Sequence, residues 1–64
     1  MISTIQTLIT PHELLLDVDR ECLINSLADL YGYSIEEFDG LNVNDIVWFY
    51  LTEEQCIELV TYIN

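Results

Sequence analysis

Enzyme chemistry needs a nucleophile, an acid–base pair or a ligand set within reach of one another, and this chain offers few of them. Its one histidine, His12, follows Thr10 and Pro11 and so falls in a predicted first helical turn. A helix N-terminus disfavours a charged imidazole, so His12 makes a poor proton reservoir and reads as an exposed helix-start residue. Cys22 and Cys56 are the two thiols, and Arg20 is the only basic neighbour of either. Cys56 lies along an apolar stripe and reads as a small hydrophobe, whereas Cys22 sits beside the stripe of Leu23. Zinc needs three or four converging Cys, His or carboxylate groups, and these cysteines are far apart in sequence with no second histidine. Asp17-x-Asp19-x-Glu21 and Asp39-Gly40-x-Asn42-x-Asn44-Asp45 faintly resemble calcium loops. Neither matches the EF-hand register, with glycine sixth and a bidentate glutamate twelfth. Gly32 and Gly40 stand alone, so no phosphate-cradling loop is present. The expectation is a protein that is not an enzyme and holds neither cofactor nor metal.

Charge points elsewhere. Twelve acids face a single base, Arg20, for a net charge of -11, yet 52% of the residues are hydrophobic. A disordered acidic tail is poor in apolar residues, so this chain is expected to fold. One arginine cannot build a basic patch, which excludes direct binding of nucleic acid and disfavours an anionic membrane surface. No apolar run approaches the roughly 18 residues of a bilayer span. The segment Met1–Gln6 lacks the positive region of a secretory signal, and two cysteines are too few for a disulfide scaffold. A cytoplasmic location is therefore expected. At 64 residues the chain is read as one domain. A domain of that size buries only about 60% of the surface its unfolded chain exposes.

The elements that would position any site are announced by a repeated helix-start pattern. Thr10-Pro11-His12-Glu13, Ser34-Ile35-Glu36-Glu37 and Thr52-Glu53-Glu54-Gln55 each place a hydroxyl three residues before Glu or Gln, the capping box. Each carries a hydrophobic staple around it: Ile9 with Leu14, Tyr33 with Phe38, and Leu51 with Cys56. Asn44-Asp45 offers a fourth start with a cap but no box. Gly32 and Gly40 mark stops, where a left-handed residue closes a helix. Leu23, Leu27, Leu30 and Tyr31 form one helical face, and Ile57, Val60 and Ile63, with Cys56 beside them, form another. This spacing predicts helices near 11–16, 19–31, 35–39, 45–51 and 53–63, with Asp17 or Asp19 capping a restart between the first two. The fold expected is all-α, a small bundle of three to five short helices over residues 1–64, with residues 1–9 as an extended arm. The alternative is α+β: residues 2–9 are rich in β-branched residues, and Ile46–Leu51 is an unbroken apolar run, so the two would pair as strands.

Surface is what remains for function. As a helix, Ile46-Val47-Trp48-Phe49-Tyr50-Leu51 is apolar all round and needs burial on all sides. Either Trp48 and Phe49 are the core, or a second chain covers part of the run. Trp and Tyr are favoured interface anchors. Glu53, Glu54 and Glu58 follow directly and are read as steering charges toward a basic protein surface. The expected function is a protein-binding module with Trp48, Phe49 and Tyr50 as anchors, and a homodimer is the expected assembly. Two alternatives stay open: an acidic nucleic-acid mimic that occludes a basic site on a DNA- or RNA-binding protein, and a free-standing dimer.

Asp19–Phe38 together with Asp45–Gln55 resembles, in size, acidity and helical texture, the small early-region proteins of lambdoid bacteriophages encoded between the exonuclease and excisionase genes. The resemblance implies a non-enzymatic, helical, dimeric accessory protein. It would act in the host cytoplasm and bias the host cell or the lysis–lysogeny decision through protein contacts. It carries over no functional residue.

Overall fold

A computed structural model describes residues 9–64, and these form an all-α fold. Helix α1 spans Pro11–Leu15, α2 Arg20–Tyr31, α3 Val43–Phe49 and α4 Glu53–Ile63, with a 3-10 turn at Ile35–Phe38 between α2 and α3. The extended arm over residues 1–9 lies, apart from Ile9, outside the described residues.

Local chemistry explains where the helices begin. Thr10 and Glu13 exchange their capping contacts, as do Thr52 and Gln55, satisfying amides that a helix start leaves without partners. At the 3-10 turn the Glu37 carboxylate accepts from the Ser34 amide at 3.1 Å. Helix α3 starts two residues earlier than the sequence suggests. Its cap is Asn42, not Asn44, and its side chain accepts from the Asp45 amide at 2.8 Å while Asp45 reaches back to the Asn42 amide. Asn and Asp are shorter versions of the same box, which is why the hydroxyl-and-glutamate pattern misses it. Gly32 ends α2 at φ 75°, and Gly40 turns the chain after the 3-10 segment at φ 80°.

Packing corrects two of the predicted faces. On α2 the buried residues are Leu23, Ile24, Ser26 and Leu27, while Leu30 is exposed. On α4 they are Cys56 and Leu59, flanked by Val60 and Ile63, and Ile57 faces solvent. Helix α4 lies against both α1 and α2, α1 also touches α3, and the 3-10 turn packs on α2. Leu15, Leu23, Leu27, Ile46, Val47, Cys56 and Leu59 meet in the middle, each fully buried. The strand reading of Ile46–Leu51 does not hold, because Ile46–Phe49 is helical and no strand occurs among the described residues. Among those residues, no helix is long and apolar enough to cross a membrane.

The one arginine bridges two segments of the chain. Arg20 Nε donates to the Leu41 carbonyl at 2.7 Å, and its second terminal nitrogen donates to the Phe38 carbonyl at 2.6 Å. The start of α2 is thereby tied to the turn that leads into α3. All twelve acids lie among the described residues, and every one but the half-buried Asp45 is exposed, so the surface charge is almost purely negative.

Two tyrosines latch α2 to the antiparallel α4 in reciprocal fashion. Tyr31 on α2 donates to Glu58 on α4, and Tyr62 on α4 donates to Asp29 on α2 at 3.0 Å. Both bonds need a protonated phenol. The Tyr31 pKa is pushed up from 10.0 to about 12, first by burial and then by the bond to Glu58. Tyr62 is pushed up chiefly by its bond to Asp29. A pKa raised on folding gives stability that is complete below the unfolded value and is lost as pH climbs through the folded one. Thermal melting should therefore fall between pH 10 and about 12, and less steeply in Tyr31→Phe. An alkaline decline identical in wild type and Tyr31→Phe would rule the Tyr31 phenol out as its source.

Candidate protein-binding site

Helix α3 buries two residues and leaves the next two in solvent. Ile46 and Val47 are fully buried, as is most of Leu51, but Trp48 is 46%, Phe49 79% and Tyr50 56% exposed. The apolar run is thus split within one helical turn, and Trp48 and Phe49 are not the core. The cause is the corner between α3 and α4. Tyr50 ends α3 in a helical conformation, and Thr52 must be extended, with ψ 165°, to cap α4. Leu51, between them, is turned inward to meet Cys56 in the core, which leaves the preceding aromatics outside.

These three aromatics are held differently. The Trp48 ring stacks on His12, with centroids 4.9 Å apart and planes within 10°, and its indole nitrogen donates to Asn44 at 3.1 Å. His12 is accordingly half-buried, with Nε2 3.4 Å from the Leu51 carbonyl, and is not the free helix-start residue that its position suggests. Tyr50 packs edge-on to Phe38 at 6.1 Å. Phe49 is the most exposed large hydrophobic side chain among the described residues. A side chain that leaves most of its area in water is the one that a partner desolvates most.

Glu53 and Glu54 occupy the first turn of α4, three and four residues after Tyr50, and both are exposed. Their carboxylates also sit favourably at the positive end of that helix. Glu58, also exposed, lies further along α4 and accepts the Tyr31 hydroxyl, so it takes part in the latch between α2 and α4. Cys56 is fully buried, and burial pushes its thiol pKa up, as suits a core hydrophobe; Cys22 is exposed.

Beside the aromatics lies a cavity of about 50 Å³ lined by Tyr33, Glu37, Phe38, Tyr50 and Leu51. Of these only Tyr50 was expected at the site. The signal for two others was the staple, since Tyr33 and Phe38 flank the Ser34 cap and meet edge-to-face at 5.7 Å and 83°. A local staple gives no hint that the α3–α4 corner will close over it. The chain matches no family model, no curated protein and no solved structure.

Proposed function

We propose that the chain is a non-enzymatic protein-binding module whose aromatic corner, Trp48, Phe49 and Tyr50, docks on a basic surface of another protein. The observation that carries this is Phe49, 79% exposed at the end of α3, more than any other large hydrophobic side chain among the described residues. Trp48 and Tyr50, its neighbours in sequence, are each about half exposed, and the exposed Glu53 and Glu54 follow in the first turn of α4. An aromatic centre with a charged rim is the usual anatomy of a specific interface. The partner is expected to be basic because the exposed charge is anionic and the one guanidinium is engaged by two backbone carbonyls.

A second copy of the chain is the competing occupant. Two chains of -11 repel each other, so self-association would strengthen with salt, whereas association with a basic partner would slow. A phage accessory role in host or phage development, acting in the host cytoplasm, fits a small anionic binder of this kind. The nucleic-acid mimic reading would place the weight on the carboxylates alone, and it leaves the exposed Phe49 without a purpose.

Charge steers and aromatics hold. Replacing Glu53 and Glu54 together by glutamine should slow association several-fold at low salt, flatten its salt dependence and leave the dissociation rate nearly unchanged. Glutamine is preferred to lysine because a cation in the first turn of α4 would oppose the helix dipole. Stopped-flow or surface-based kinetics against the basic partner reads this directly. An unchanged association rate would remove these two carboxylates from the site.

A further inference from the structure

The two bonds of Arg20 close around a β-turn that carries a reactive dipeptide. Asp39 has φ -58° and ψ 134°, Gly40 has φ 80°, and the Leu41 amide donates to the Phe38 carbonyl at 3.1 Å. Those angles and that bond define a type II turn over residues 38–41, whose third position needs a positive φ and so takes glycine. Arg20 donates to the carbonyl at each end of the turn, Phe38 at 2.6 Å and Leu41 at 2.7 Å. Asp39 and Gly40 are both exposed, and with Arg20, Leu41 and Asn42 they line a hollow open to solvent.

Aspartate followed by glycine has a chemistry of its own. The main-chain nitrogen of the second residue can attack the side-chain Cγ of the first, and glycine, which has no Cβ, obstructs that approach least. A new N–Cγ bond closes an imide ring, the Cγ–OH bond breaks, and the hydroxyl leaves as water with the amide proton. Water then reopens the ring. Cleavage of the N–Cγ bond restores aspartate. Cleavage between the nitrogen and the main-chain carbonyl carbon instead gives isoaspartate, with its α-carboxyl freed and the main chain rerouted through the side chain. One water leaves and one returns, so no co-reactant is needed. The other four aspartates precede Val18, Arg20, Leu30 and Ile46, whose side chains obstruct the attack.

We propose that Asp39-Gly40 is a site of spontaneous isomerisation to isoaspartate, and that Arg20 guards it by holding the turn. Ring closure needs the Gly40 nitrogen swung round to Cγ, at a ψ of about -120°, the value found at this position of a type II′ turn. The type II turn holds ψ at 134° instead. Closing the ring therefore means rotating the central peptide of a turn whose two ends are pinned to one guanidinium. Isoaspartate adds a methylene to the main chain between those two anchors, so the product no longer fits both arms of the fork.

Ageing of the intact protein at mildly acidic pH reads the reaction, because a protonated carboxyl gives up its hydroxyl more readily than a carboxylate does. Peptide mapping after incubation in heavy-oxygen water, which labels each reopened ring, would be carried out below the melting temperature of every variant. In wild type unfolded by urea, isoaspartate should form faster at Asp39 than at any other aspartate. In folded wild type it should form several-fold more slowly, and Arg20→Gln should restore much of the unfolded rate. Arg20→Gln also lowers stability, so Leu59→Ala, which opens the core at α4 instead, is the control and should stay near the wild-type rate. An unfolded chain in which another aspartate reacts faster than Asp39 would overturn the site. Folded wild type that isomerises as fast as the unfolded chain, or Leu59→Ala as fast as Arg20→Gln, would overturn the guarding role of Arg20.

Discussion

Arg20→Gln should lower the melting temperature by roughly 10–20 °C, the largest stability effect expected of any exposed or half-buried position in the chain. The guanidinium makes two short hydrogen bonds, to the carbonyls of Leu41 and Phe38, across 21 and 18 residues of sequence. Hydrogen bonds to a charged group contribute about 1.5–3 kcal/mol each, and partial exposure here brings the pair to roughly 3 kcal/mol. A domain of this size has only about 3–10 kcal/mol of total stability. Glutamine can replace one of the two donors at best, and lysine, without the planar fork, should rescue partly. Because Phe38 and Leu41 sit at the turn that Arg20 secures, the variant should also disorder the Phe38 ring and its edge contacts to Tyr33 and Tyr50. Thermal unfolding followed by circular dichroism gives the answer. A shift within 2–3 °C of wild type would mean that solvent replaces the guanidinium at little cost.

Phe49→Ala should do the reverse: leave the fold intact and abolish tight binding. With 79% of the side chain in water, truncation removes little buried area, and alanine is the better helix former near the end of α3. The melting temperature should therefore stay the same or rise slightly. Affinity for the partner should fall by about 2 kcal/mol or more, some 30-fold, and chiefly through faster dissociation. Trp48→Ala is a less clean probe. It also removes the stack on His12 and the bond to Asn44, so it should cost stability as well as affinity. A folded Phe49→Ala protein that binds as tightly as wild type would shift the weight to the carboxylates and favour the nucleic-acid mimic reading.

The contrast between those two variants shows what the sequence makes legible. Helix starts are local chemistry, a side chain reaching an amide three residues away, so the boxes at Thr10 and Thr52 can be read by eye. So can the stops at Gly32 and Gly40, whose positive φ needs no tertiary information. Which side of each helix turns inward is not local. Leu30 and Ile57 satisfy the helical spacing as well as Ile24 and Leu59 do, and only the packing of α4 against both α1 and α2 decides between them.

The site follows the same division. The excess of apolar residues in the run Ile46–Leu51 can be read by eye, and the partner proposed for it rests on that excess. Its division into buried Ile46, Val47 and Leu51 and exposed Trp48, Phe49 and Tyr50 depends on the α3–α4 corner. The tie made by Arg20 is not legible because a lone cation among twelve acids reads as a charge, whereas its partners are backbone carbonyls that no sequence displays. The burial of His12 and the Tyr31 bond of Glu58 are hidden for a similar reason, since their contacts, Trp48 and Tyr31, lie 36 and 27 residues away in sequence.

Site-specific photo-cross-linking at Phe49 tests the docking claim most directly. A benzophenone amino acid at that position projects from the same helix end as the native ring, and the same group at the exposed Asn25 on α2 serves as the control. Irradiation in the cell should join the Phe49 probe, and not the Asn25 probe, to one discrete protein with a basic surface, and the Glu53→Gln, Glu54→Gln background should reduce the yield. A Phe49 probe that joins nothing, or joins only a second copy of this chain, would contradict it.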